Sequence, residues 1–134
     1  MRERWLSRLG LAVMVAASPS CIQRGRVCTA IGCGDSAVFD LNELRVPAGT
    51  LVDVCAKGSC RQPADGTESV LFDLDLDRGE TVTFTMRLRA SSGSRTLTAS
   101  VPVRPHQPNG ADCGPTCYVV GVKYDLASDS LQPS

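Results

Sequence analysis

From residue 37 onward, apolar and polar side chains alternate with a period of two over many short segments, with no helical stripe and no heptad. Successive residues of a strand point to opposite faces, so the pattern predicts half-buried β-strands. Ala37, Phe39 and Leu41 share one face of a first segment. Past the Pro47-Ala48-Gly49 turn, residues 50–55 form a β-branched, strand-prone stretch, and Ala56-Lys57-Gly58-Ser59 turns the chain back. In residues 68–77, Val70, Phe72, Leu74 and Leu76 face inward, while Asp73, Asp75 and Asp77 face water.

Residues 81–89 direct Val82, Phe84, Met86 and Leu88 inward. Opposed residues of a hairpin share a face, so pairing this segment with the preceding one demands a three-residue loop, Arg78-Gly79-Glu80. A crossing between two sheets serves equally well. Leu97, Ala99, Val101 and Val103 line the next segment, and Tyr118, Val120, Val122 and Tyr124 line the last. Residues 105–112 between them read as a loop. About seven short strands with one apolar face each predict an all-β fold, a small antiparallel β-sandwich, because each sheet must cover its apolar face with another. The domain is expected over residues 36–126, after a tether and Cys-rich segment at 21–35 and before a C-terminal tail at 127–134.

Composition changes this picture in one respect. The 134 residues suffice for one domain, but aromatics make up only 4%. A core of Val, Leu and Ala buries less area per residue, so additional staples are expected. Removing residues 1–20 takes away three Arg and one Glu and leaves 11 basic against 13 acidic residues. That balance offers no basic footprint for nucleic acid.

Arg2, Arg4 and Arg8 precede an uncharged run from Leu9 to Ala17, the pattern of a signal peptide over residues 1–20. As a helix the run would rise about 14 Å, half of a hydrocarbon core of about 30 Å, so it is an address and not a span. Small residues, Ser18 and Ser20, stand three and one places before Cys21, as at the processing site of bacterial lipoproteins. Seven cysteines leave one unpaired in an oxidising compartment, and a lipid on Cys21 leaves an even six. Simple secretion is the alternative.

Cys55 and Cys60 flank a four-residue turn, where opposed Cβ atoms come within disulfide reach. The remaining cysteines form two close pairs, and Cys28 and Cys33 are expected to bond Cys113 and Cys117, with the partners left open. The rival is a four-thiolate zinc site, disfavoured by loose spacing and by export. Asp73, Asp75 and Asp77 resemble the opening of a calcium loop. However, Gly79 comes one place late, and the twelfth position is Phe84 where an EF-hand has Glu. A solvated strand face fits them better. His106 is the only histidine, and no nucleophile elbow, zinc-protease helix or phosphate loop occurs, so neither an enzyme nor a cofactor is expected.

With Cys28-Thr29-x-x-Gly32-Cys33-Gly34 near its start, Pro47-Ala48-Gly49-Thr50, and Gln107-Pro108-Asn109-Gly110-x-x-Cys113-x-Pro115-x-Cys117 near its end, the chain resembles a group of small bacterial lipoproteins. The resemblance implies an immunoglobulin-like β-sandwich and carries over no catalytic residue. The expected function is that of an exported, non-enzymatic binding or structural module of the cell envelope. It would be anchored to a membrane through Cys21 (the outer membrane in a Gram-negative cell) and would contact an envelope protein or glycan. A secreted metal- or ligand-binding protein is the alternative.

Overall fold

The computed structural model describes residues 22–23, 26–27 and 32–134. The signal peptide, Cys21 and Cys28 lie outside the described residues. Among the described residues eleven strands form and no helix: β1 (Ile22–Gln23), β2 (Arg26–Val27), β3 (Ser36–Asp40), β4 (Leu51–Ala56), β5 (Ser59–Arg61), β6 (Ser69–Asp73), β7 (Thr81–Ala90), β8 (Gly93–Pro102), β9 (Arg104–His106), β10 (Cys117–Asp125) and β11 (Ser130–Pro133). β1 and β2 pair with each other. The others make a five-stranded sheet ordered β11-β10-β3-β6, with β9 also on β10, and a four-stranded sheet ordered β5-β4-β7-β8.

The alternation read from the sequence is what builds the core. Phe39, Phe72, Phe84, Met86, Val54, Val82, Val101 and Val122 are all fully buried. Phe39 of one sheet meets Phe84 of the other edge to face, with centroids 5.8 Å apart. The two sheets therefore face each other across one shared core.

One open choice is settled and three expectations are corrected. The segments around β6 and β7 do not form a hairpin, since β6 pairs with β3 and β7 with β4 and β8. The chain crosses between sheets through a turn at residues 77–80, where Gly79 has φ 78° and Glu80 N–H donates to the Asp77 carbonyl. Second, the larger sheet is mixed, because β10 runs parallel to β3 in the register Val120 to Ala37 and Val122 to Phe39. A period of two specifies which face is apolar and says nothing about the direction of the neighbour.

Third, residues 104–106 form a strand on β10 and are not part of a loop. Proline is tolerated there because β9 lies at the sheet edge, where one side of the backbone needs no ladder bond. Fourth, residues 127–134 are not a tail. β11 pairs with β10, and Leu131 is buried. The strand count accordingly exceeds seven.

The β4–β5 turn shows how local chemistry sets register. Lys57 (φ 48°) and Gly58 (φ 81°) both have positive φ, as a two-residue type I′ hairpin requires, and this places Cys55 opposite Cys60.

Candidate functional site

Strand directions bring the segments 41–50, 62–68, 90–93 and 126–129 to one end of the two sheets. The first two wall a groove of about 560 Å³. Its floor is the margin of the core, the buried Leu41 and Val52, and its walls carry Leu44, Val46, Pro47 and Pro63. Arg45, Asp65 and Glu68 stand at the rim. A shallower hollow of about 360 Å³ shares Arg45, Val46 and Pro47 and runs on towards Leu88 and Arg95. Thr50, buried, lines that hollow, and its hydroxyl oxygen has no hydrogen-bond partner.

The loops are braced. Leu41 N–H donates to the Glu68 carbonyl and prolongs the β3–β6 ladder across the groove floor, 2.8 Å. Arg45 turns back to donate to the carbonyls of Asn42 and Leu44, at 2.8 and 2.9 Å. The Asp40 carboxylate accepts from the Asn42 backbone and side chain, both at 2.9 Å. Leu126 N–H, from the β10–β11 turn, donates to the Glu43 carboxylate. Such pre-ordered walls lower the entropy lost when a ligand settles. The groove lining combines these apolar side chains with the polar groups of Asn42, Arg45, Asp65, Thr67 and Glu68.

A second cluster locks the same end. Asp129 accepts from Tyr124 Oη at 2.7 Å and from both terminal nitrogens of Arg95, joining the β10–β11 turn to β8 of the other sheet. The hydrogen bonds from Arg95 and Tyr124 hold the Asp129 carboxyl below its ordinary value, and the same contacts raise Arg95 and Tyr124. A lowered folded-state pKa stabilises the fold above the unfolded-state value of about 3.9, and this support is lost as pH falls through the lower value. Asp129→Asn, which tolerates the residue's φ of 49°, is expected to flatten the acid-side fall in melting temperature below about pH 4 relative to the native chain. Thermal melts of both proteins between neutral and acid pH check this.

Comparison with protein families, curated proteins and solved structures yields no match. The site must therefore be read from its own residues.

The residues singled out by sequence lie elsewhere. Cys33 bonds Cys117 across 84 positions, with Cα atoms 6.0 Å apart, just ahead of the parallel β3–β10 pair. Cys55 bonds Cys60. Cys113 is disulfide-bonded too, to a partner outside the described residues. With these sulfurs oxidised, the four-thiolate zinc arrangement does not form.

Asp73, Asp75 and Asp77 are exposed. Among the described residues no group of three or more His, Cys, Asp or Glu could hold a metal ion. The backbone of this segment is engaged instead. Lys57 donates to the Asp75 carbonyl at 2.7 Å and pairs with Glu80 at 2.7 Å, which lowers Glu80, and Glu80 also accepts from Asp77 N–H. On the neighbouring strands Arg89 pairs with Asp53 of β4. His106 is exposed on β9.

The groove residues Leu44, Val46 and Pro63 fall in segments without period-two alternation, so only their apolar character in a loop could have pointed to them.

Proposed function

We propose that this chain is an exported, non-enzymatic binding module with an immunoglobulin-like sandwich. In this reading it is held to a membrane of the cell envelope by a lipid on Cys21, and it engages an envelope protein or glycan through the groove at residues 41–48 and 62–68. The observation that carries this reading is polarity along the strands. The chain enters β3 at Ser36, and the groove opens beyond Asp40 at the far end of that strand. A tether running from Cys21 thus leaves the groove facing away from the anchor. The disulfides support an oxidising compartment, and the likeness to small bacterial lipoproteins supports the anchor.

Two measurements in cells test the reading. Metabolic labelling with an alkyne fatty acid is expected to tag the native chain, with the label lost in Cys21→Ser. A photocrosslinking amino acid at Val46 is expected to yield a discrete adduct that the same probe at Thr83, on the outer face of β7, does not give. An unlabelled Cys21 overturns the anchor, and equal adducts at the two positions overturn the groove.

A further inference from the structure

The Cys33–Cys117 and Cys55–Cys60 bonds differ in how an external thiol meets them. Exchange requires a thiolate to attack one sulfur while the other leaves as a thiolate. In the first bond Cys33 is exposed, but Cys117 is only 2% exposed, and burial disfavours the thiolate that would have to leave. In the second, Cys60 is exposed and Cys55 is half-buried, on the face of β4 opposite the buried Val54 and Ala56. Cys113 is buried as well, at 4% exposed. Access and leaving group both favour attack at Cys60 with Cys55 departing.

The hairpin bond also anchors one wall of the groove. β5 lies at the edge of its sheet, pairs with β4 alone over three residues, and buries none of its side chains. An element with so few buried contacts has little stability of its own. Residues 62–68 leave directly from β5. At their far end Leu41 N–H donates to the Glu68 carbonyl. At the near end the wall depends on β5 and on the Arg61 guanidinium, 5.4 Å from the Phe72 ring centre. The turn between closes on itself, Thr67 N–H donating to the Ala64 carbonyl. Cys55–Cys60 is thus the covalent tie between this wall and the sheet.

We propose that Cys55–Cys60 is a site of reversible thiol–disulfide exchange with an external dithiol, and that its redox state sets how firmly residues 62–66 wall the groove. One thiolate of the dithiol attacks the Cys60 sulfur, the bond between the sulfurs breaks, and Cys55 leaves as a thiolate that takes a proton from water. The second thiolate of the dithiol then displaces Cys60, which is protonated in turn. Two electrons pass to the hairpin, and the dithiol is oxidised to a disulfide. The two new thiols remain five positions apart on one turn, so the ring recloses without refolding. With β5 released the wall loses order, and a ligand settling in the groove must restore it at an entropic cost. That last effect rests on the groove being the ligand site, whereas the exchange and the mobility of the wall do not.

The test uses the full native chain, with dithiothreitol as the dithiol. At concentrations that leave the circular dichroism of the fold unchanged, alkylation and mass spectrometry are expected to tag Cys55 and Cys60 and to leave Cys33, Cys113 and Cys117 untagged. Amide deuteration over residues 62–66 is expected to quicken about tenfold on this reduction, with β7 unchanged and reversal on reoxidation. Cys55→Ser with Cys60→Ser is expected to show the fast deuteration with or without dithiothreitol. In cells, the photocrosslinked adduct at Val46 is expected to weaken several-fold in that double variant. Reduction of every bond together, only as the fold is lost, overturns the exchange site. Selective reduction that leaves deuteration at 62–66 unchanged overturns control of the wall. Selective reduction with a quickened wall, but no Val46 adduct in either chain, upholds the exchange and its effect on the wall and removes the groove as the ligand site.

Discussion

The triple variant Cys33→Ala, Cys113→Ala, Cys117→Ala is expected to lose about 7 kcal/mol of stability and to be largely unfolded at room temperature, since domains hold only about 5–15 kcal/mol in all. Removing the Cys33–Cys117 bond alone is expected to cost about 3 kcal/mol. The difference follows from loop closure. The Cys33–Cys117 bond spans 84 positions and Cys113 is disulfide-bonded as well, so with Cys28 as its partner, as the sequence leads one to expect, both bonds tie the same two regions of the chain together. While either bond survives, the long loop stays closed and the loss is that of a small ring. Once the second goes, the full loop of about 85 residues opens, a cost of about 4.5 kcal/mol in the chain-entropy model. Removing Cys55–Cys60, separated by 5 positions, is expected to cost about 2 kcal/mol by the same rule. Urea melts followed by circular dichroism check all three, and a triple variant no weaker than the double would show that the clasp does not constrain the unfolded chain.

Phe84→Ala is expected to destabilise by about 4–5 kcal/mol, near the top of the range for a buried phenyl ring. On its own face the ring is flanked by Ala56 on β4 and Ala99 on β8, neither large enough to fill the space it would leave. Unfilled volume is what makes such truncations costly. Its edge-to-face contact with Phe39 should appear as a coupling of about 1 kcal/mol in a double-mutant cycle with Phe39→Leu, measured by denaturant titration. Zero coupling would mean that the two sheets do not meet at these rings.

The inward faces of the strands were legible from sequence because alternation reports burial directly. Val82, Phe84, Met86 and Leu88 were predicted inward and are all buried. Which strand lies beside which was not legible. Arg89 meets Asp53, 36 positions away, and only the order of β4 and β7 reveals that pairing. β11 was missed because Leu131 is its only apolar side chain pointing to the core, too little to register as a pattern. The alternation also outran its strand. β6 ends at Asp73, yet Leu76 is buried, carried by a segment whose backbone is held by the Asp35 carboxylate accepting from Leu76 N–H. The groove was the least legible feature, because it is made by two loops that the β3–β6 pairing brings together and not by any motif within one of them.

The parallel seam between β3 and β10 also governs the order of assembly. β3 is the first strand of its sheet to be synthesised, and one of its two neighbours is residues 117–125. Contacts this distant in sequence make folding slow and late. The larger sheet therefore stays open along β3 until β10 has been made, and the first strand laid down is among the last to be closed in on both sides.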